Sequence, residues 1–106
     1  MLVTAAALIL LLIHALATGR VDLVLDTKVL RLLTDPDGRR VTAAEVEQGG
    51  ATRLIHGDLF TSAAGAINSA ALLLRSASAR HPTGLGNTGS DLLGRNYMAH
   101  NNTAMM

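Results

Sequence analysis

The stretch "DLFTSAAGAINSAALLLRSA", residues 58–77, decides how this chain folds, because its period changes in the middle. Leu59 to Ser62 has the composition of a strand, and the small residues Ala63, Ala64 and Gly65 follow. From Ala66 the apolar positions Ile67, Ala70, Ala71 and Leu74 recur at helical spacing, with Leu72 and Leu73 widening the stripe. Asn68 or Ser69 is available near the helix start, and the helix is expected to end by about Ala79, before "RHP". A strand that passes through small side chains into a helix lets main chain approach a ligand, and the unpaired N–H groups of the first turn favour an anion there. Tight packing at a crossover has the same signature. The stretch taken alone leaves both readings open.

Upstream, "RVDLVLDTKVLRLL" (20–33) alternates, with Val21, Leu23, Leu25 and Val29 on one face and Asp22, Asp26 and Lys28 on the other, as a half-buried strand requires. "DPDG" (35–38) then puts Asp first, Pro second with its φ already set, and Gly fourth, which is type I turn chemistry. The chain returns through "RRVTAAEVEQ" and reverses again at Gly49-Gly50 into "ATRLIHGDLFTSA". Residues 21–63 are therefore expected to form three consecutive strands, an antiparallel meander.

The first eighteen residues carry no acid, Lys or Arg, and twelve of the first thirteen are apolar. A run of that length lies at the lower edge of what crosses a bilayer, and "HALA" before Thr18 has the small residues of a cleavage site. A basic n-region is missing, and Arg20 is the one candidate interfacial anchor. Residues 1–18 are read as an apolar unit, either a buried helix of a larger protein or a signal- or anchor-like segment. A cytoplasmic location is preferred, with membrane association or export as the alternative.

Downstream, "TGLGNTG" (83–89) spells G-x-G-x-x-G, but it follows a helix and a His-Pro loop, and neither a feeding strand nor a ribose-binding acid stands at the required place. It is read as a flexible glycine loop. "DLLGRNYMAHNNTAMM" (91–106) gives a short apolar turn and a polar tail, and its abrupt close has the look of a cut.

Composition narrows the chemistry. With 106 residues the chain suits one small domain, and its hydrophobic half is Ala, Leu, Val and Ile, with Phe60 and Tyr97 the only aromatics. Too few rings are present to stack on bases, and a formal charge of +1 without a block of like charges lacks the footprint of a nucleic-acid binder. No cysteine is present, which removes disulfides, thiolate zinc sites and a Cys nucleophile.

His14, His56, His81 and His100 form no helical i, i+4 pair and have no carboxylate at ligand spacing, so no metal site is expected. Structural or loop roles are preferred for all four, with His100 in "YMAHNN" the one placed to line a cavity in a complete protein. Ser62, Ser69 and Ser76 lack a His-Asp arrangement and a G-x-S-x-G elbow, and Met98, Met105 and Met106 are expected to fill a core.

Three segments occur in a meaningful order: "TGRVDL" with "DTKV" (26–29) leading into the meander, "AAGAINSAALLLRSA" (63–77), and "LLGRNYMAH" (92–100). Over roughly residues 15–106 this set resembles the central part of the FAD-dependent glucose-methanol-choline (GMC) oxidoreductases. Departures are Ala70, where the family's second signature usually has Pro or Ser, Ala77, where it has Gly, and an N-terminus more apolar than the equivalent helix.

The resemblance implies a mixed α/β fold, α+β in arrangement: a partial FAD-binding fold with an N-terminal helix, the three-stranded meander, the strand-helix unit and a C-terminal loop region. Residues 19–106 are the partial GMC domain on this reading. It implies that the backbone at Val29 contacts the adenine and that the Ala63-Ala64-Gly65 turn passes near the cofactor. FAD and a small alcohol are the expected partners of the complete enzyme, with hydride transfer from a CH–OH group to the flavin and a histidine base nearby. The quoted sequence holds neither the family's N-terminal dinucleotide motif nor its catalytic histidine segment, so no catalytic residue is assigned. FAD binding by this chain alone is expected to be weak or absent. The competing expectation is a small membrane-anchored or exported module without a catalytic role.

Overall fold

The computed structural model describes residues 2–87, 89 and 91–98, with side chains from residue 10 onward. Its elements are α1 (Leu2–Ala17), β1 (Thr27–Thr34), β2 (Val41–Gln48), β3 (Ala51–His56) and α2 (Gly65–Arg75). The strands form one antiparallel sheet in the order β1-β2-β3, which is the expected meander. The mixed class expected from the sequence is the class observed.

Turn chemistry makes the two reversals. At the first, the Gly38 N–H donates to the Asp35 carbonyl at 3.0 Å, and Asp35 Oδ1 accepts from the Arg39 and Arg40 amides at 2.8 and 3.3 Å. One carboxylate thus satisfies two loop donors that would otherwise go unpaired, the usual work of Asp opening a turn. At the second, Gly49 and Gly50 both have positive φ (59° and 80°), as a two-residue type I′ hairpin demands, and Gln48 pairs with Ala51 across it.

Two strand expectations need correction. β1 begins at Thr27 and not at Val21, because Asp26 takes a left-handed φ of 51°, which no strand continues through. The bend is fixed by the Leu25 carbonyl, which accepts from Thr27 Oγ1 at 2.9 Å and Gln48 Nε2 at 2.9 Å. Consequently Val21, Leu23 and Leu25 have no sheet to face, and all three are exposed. Likewise Leu59–Ser62 is not a strand: β3 ends at His56, and residues 57–63 run as coil into α2. A strand exists only where another strand takes up its ladder of N–H and C=O groups, and none of the described residues does so here.

The helix α2 is shorter than expected, closing at Ser76 and not near Ala79. Its N-cap is Ala64, without a side-chain cap, so neither Asn68 nor Ser69 serves there. The face it buries also differs. Leu72 and Ser76 are buried while Ile67, from the predicted stripe, is 66% exposed. Ser76 Oγ accepts from the Leu32 N–H at 2.8 Å and donates to the Leu72 carbonyl at 2.7 Å, and Arg75 Nε donates to the Leu30 carbonyl at 3.2 Å. Among the described residues β1 has β2 as its only strand neighbour, so these bonds hold the last turn of α2 against its outer edge and cover groups that would otherwise invite pairing.

The core is small and centres on β2, where Ala43, Ala44 and Val46 are buried. β3 is exposed along its whole length. Among the described residues α1 touches no other element and exposes Leu10, Leu11 and Ile13. No helix among the described residues is long and apolar enough to cross a membrane. The surface area of 8874 Å² compares with about 5,600 Å² for a folded monomer of this mass. The radius of gyration, 17.3 Å, compares with about 13 Å. The strands are therefore not sealed into a self-sufficient core.

Candidate functional site

The residues expected to approach a cofactor come from two distant segments, and the fold brings them together. Val29, Ala63 and Ala64 line one cleft of about 630 Å³ between the start of β1, the coil before α2 and the helix itself. Val29 sits beside an irregularity in the β1–β2 ladder, between Val29 and Arg31, and is 38% exposed. A bulge of this kind bends the strand and re-aims its residues, which is how an edge strand comes to face a cleft and not only its neighbour. On the other wall, Ser62 Oγ donates to Ser69 Oγ at 3.1 Å, tying the coil to the second turn of α2 and fixing Ala63 and Ala64 between.

Gly65 lies round the corner, in a smaller hollow of about 220 Å³ that it shares with Ala64, Asn68 and Tyr97. Its φ is +80°, and a methyl group built on it would meet no atom within 4 Å. The glycine is thus required by backbone conformation and not by crowding. Among the described residues the bend is open beside Gly65, and the amides of the first turn carry no side-chain cap. Small walls, a strand backbone on one side and uncapped helix amides on the other suit a flat base attached to an anionic tail. By that measure the residues present fit the adenine nucleotide part of FAD.

Sequence reasoning missed the polar lining. Thr27, Lys28, Thr61, Ser62, Asn68 and Arg75 complete the cleft with Leu72. A signal was present, because Asn68, Leu72 and Arg75 stand at i, i+4 and i+7 and so share a face. The stripe of Ile67, Ala70, Ala71 and Leu74 instead lines a separate apolar pocket of about 470 Å³ with Gly94–Met98.

The remaining candidates have structural places. Residues 83–87 of the G-x-G-x-x-G segment are tied down by hydrogen bonds, where a free glycine loop was expected. The Leu85 amide donates to the Leu73 carbonyl at 2.9 Å, Asn87 Nδ2 donates to the Thr83 carbonyl at 3.0 Å, and the Leu93 amide donates to Asn87 Oδ1 at 3.3 Å. A methyl group on Gly84 would stand 2.9 Å from Leu93 Cδ2 and 3.3 Å from the Leu73 carbonyl, so this glycine serves packing on α2. Asp91 is held below the usual carboxylate range by the side-chain bond from Arg95 (2.6 Å), then by that from Asn87 (3.3 Å) and by the Arg95 charge, against a small opposing effect of burial.

His14 lies in α1, where Nδ1 donates to the Leu10 carbonyl at 2.8 Å, and His56 ends β3. His81 Nε2 donates to the Gly38 carbonyl at 2.7 Å and clamps the first reversal, together with Arg80 Nε on the Pro36 carbonyl at 3.1 Å. None of these lines the cleft, and no group of potential metal ligands occurs among the described residues. Met98 is 89% exposed and fills no core, contrary to expectation, because the pocket beside it is open. His100, Met105, Met106 and the rest of the polar tail lie outside the described residues.

Comparison with known proteins adds one finding. Residues 7–102 match the family model for GMC oxidoreductase. No curated protein matches the chain.

Proposed function

The chain belongs to the GMC oxidoreductase family, whose members bind FAD, and we propose that it contributes one wall of the FAD site to an enzyme that oxidises small alcohols. The observation that carries this reading is the convergence of Val29, Ala63 and Ala64 on one cleft from segments far apart in sequence. The Val29 backbone faces the adenine, the Ala63-Ala64-Gly65 bend lets main chain come close, and the uncapped amides of α2 lie toward the anionic part of the cofactor. When bound, FAD supplies the hydride acceptor for a CH–OH donor. No described histidine lines the cleft. The chain supplies one wall of the site, and on this reading it is inactive alone because a histidine base and the rest of the flavin site come from elsewhere in the complete enzyme.

On this reading residues 1–18 form an apolar helix whose exposed leucines are covered by protein, and residues 19–106 are the family domain. Titration of FAD fluorescence with the purified chain tests it. Weak, unsaturated binding is expected, with amide shifts at Val29, Ala63, Ala64 and Gly65 in a parallel NMR titration. Tight stoichiometric binding, or shifts confined to other residues, would contradict it. Recovery of the tagged chain from membranes after a salt wash would favour an anchored, non-catalytic module instead.

A further inference from the structure

We propose that Arg75 is a positioning residue of the cleft: through the Leu30 carbonyl it holds the bulge of β1 and so sets where the Val29 backbone stands. On the reading of the cleft as the FAD site, on which this assignment rests, the side chain keeps one of the two walls in place. The β1–β2 register runs from Val29 opposite Val46 straight to Arg31 opposite Glu45, so Leu30 is the extra residue that β2 leaves without a partner. What fixes it comes from α2. Arg75 Nε donates to the Leu30 carbonyl at 3.2 Å, and two residues further on the Leu32 N–H donates to Ser76 Oγ at 2.8 Å. Successive side chains of the last helical turn thus take a carbonyl and an N–H on the open edge of β1, the groups that a further strand would otherwise pair.

The same helix carries the other wall. α2 runs from Gly65 to Arg75, about 16 Å at 1.5 Å per residue, with the Ala63-Ala64-Gly65 bend at its start and the Leu30 contact at its end. Asn68, Leu72 and Arg75 line the cleft between these ends. The helix is therefore a rigid spacer, and the Arg75 bond ties the Val29 wall to it. Val29 itself is 38% exposed, so side-chain packing does little to hold it. The role belongs to the donor and not to the charge. Arg Nε stands as many bonds beyond Cβ as the amide nitrogen of a glutamine. Arg75→Gln thus keeps an N–H in reach of Leu30 and removes the charge, whereas Arg75→Leu keeps a good helix former and removes the donor.

NMR titrations of the full chain with adenosine, a ligand without a phosphate, test the assignment, together with the amide resonances of Val29, Leu30 and Arg31 in the free chain. Loss of one net hydrogen bond shifts the balance between held and relaxed bulge about fivefold, and apparent affinity falls with the fraction that is held. Arg75→Leu is therefore expected to move the three amides and to weaken adenosine by up to about fivefold, while Arg75→Gln keeps the wild-type amides and affinity. Arg75 is exposed, so neither change touches the core around Val46. Arg75→Met, a second variant without a donor, should behave as Arg75→Leu. Wild-type adenosine affinity in Arg75→Leu, even with a lower urea midpoint, would make Arg75 a support of the fold only and overturn its positioning role. Equal weakening in Arg75→Leu and Arg75→Gln would overturn it too, because the guanidinium would then act by charge or bulk. Absence of adenosine shifts at Val29, Ala63 and Ala64 in the wild-type chain would remove the site itself, and the role with it, whatever the variants do to the free-chain amides.

Discussion

Ser76→Ala tests whether α2 and β1 are held together by one hydroxyl. Ser76 is 3% exposed, and its Oγ both accepts from the Leu32 N–H and donates to the Leu72 carbonyl. The two losses are unequal. The Leu72 carbonyl still accepts the Ser76 amide at 3.0 Å, whereas the Leu32 N–H loses its acceptor at a half-buried position. An orphaned buried donor costs about 1–3 kcal/mol, and partial access of water to Leu32 places the effect in the lower part, about 1–2 kcal/mol. That is roughly a 5- to 30-fold rise in the opening equilibrium. Native-state hydrogen exchange should show this acceleration at Leu32, and a urea titration should show a lower midpoint at unchanged slope. The cleft should widen too, since the same turn carries Arg75. Unchanged exchange at Leu32, with a stability loss under about 0.5 kcal/mol, would refute the hydroxyl's role as the staple.

Other substitutions separate effects of opposite sign. Gly65→Ala in an ordinary helix would stabilise by about 1 kcal/mol. Here φ is +80° with open space around it, so a loss of about 1–2 kcal/mol is expected from backbone strain alone, read as a lower melting temperature. A gain would show that α2 does not begin through a left-handed residue. Val46→Ala, at a side chain 1% exposed, should cost about 2 kcal/mol by denaturation, whereas Leu54→Ala on exposed β3 should stay within about 0.5 kcal/mol; equal effects would place the core elsewhere. Asp91 has its carboxyl lowered in the folded chain, so what it contributes is present above its ordinary value of 3.8 and is lost as pH falls through the lower folded value. Its carboxyl resonance should therefore titrate below 3.8, and Arg95→Gln should raise the midpoint; a wild-type midpoint at or above 3.8 would contradict the Arg95 contact.

What the sequence by itself determined is what nearest neighbours along the chain decide. Asp35, Gly38, Gly49 and Gly50 set both reversals, because turn conformations are chosen within four residues by φ and by local hydrogen bonds. The change of period at Ala63-Ala64-Gly65 announced α2, and Val29 and the bend could be named as a candidate site from the residues that resemble the GMC pattern. Only the tertiary structure decided the rest, because a period names a face without naming what covers it. Asp26 ends the alternation that runs back to Val21, and Leu59–Ser62 lacks a neighbour to take its ladder bonds. Leu72 and Ser76, not Ile67 and Leu74, meet the sheet, since β1 offers an unpaired N–H where Ser76 can reach it. Val29, Ala63 and Ala64 share one cleft only when the bulged edge of β1 and the cleft face of α2 are set opposite each other, a spatial relation that no local signal encodes.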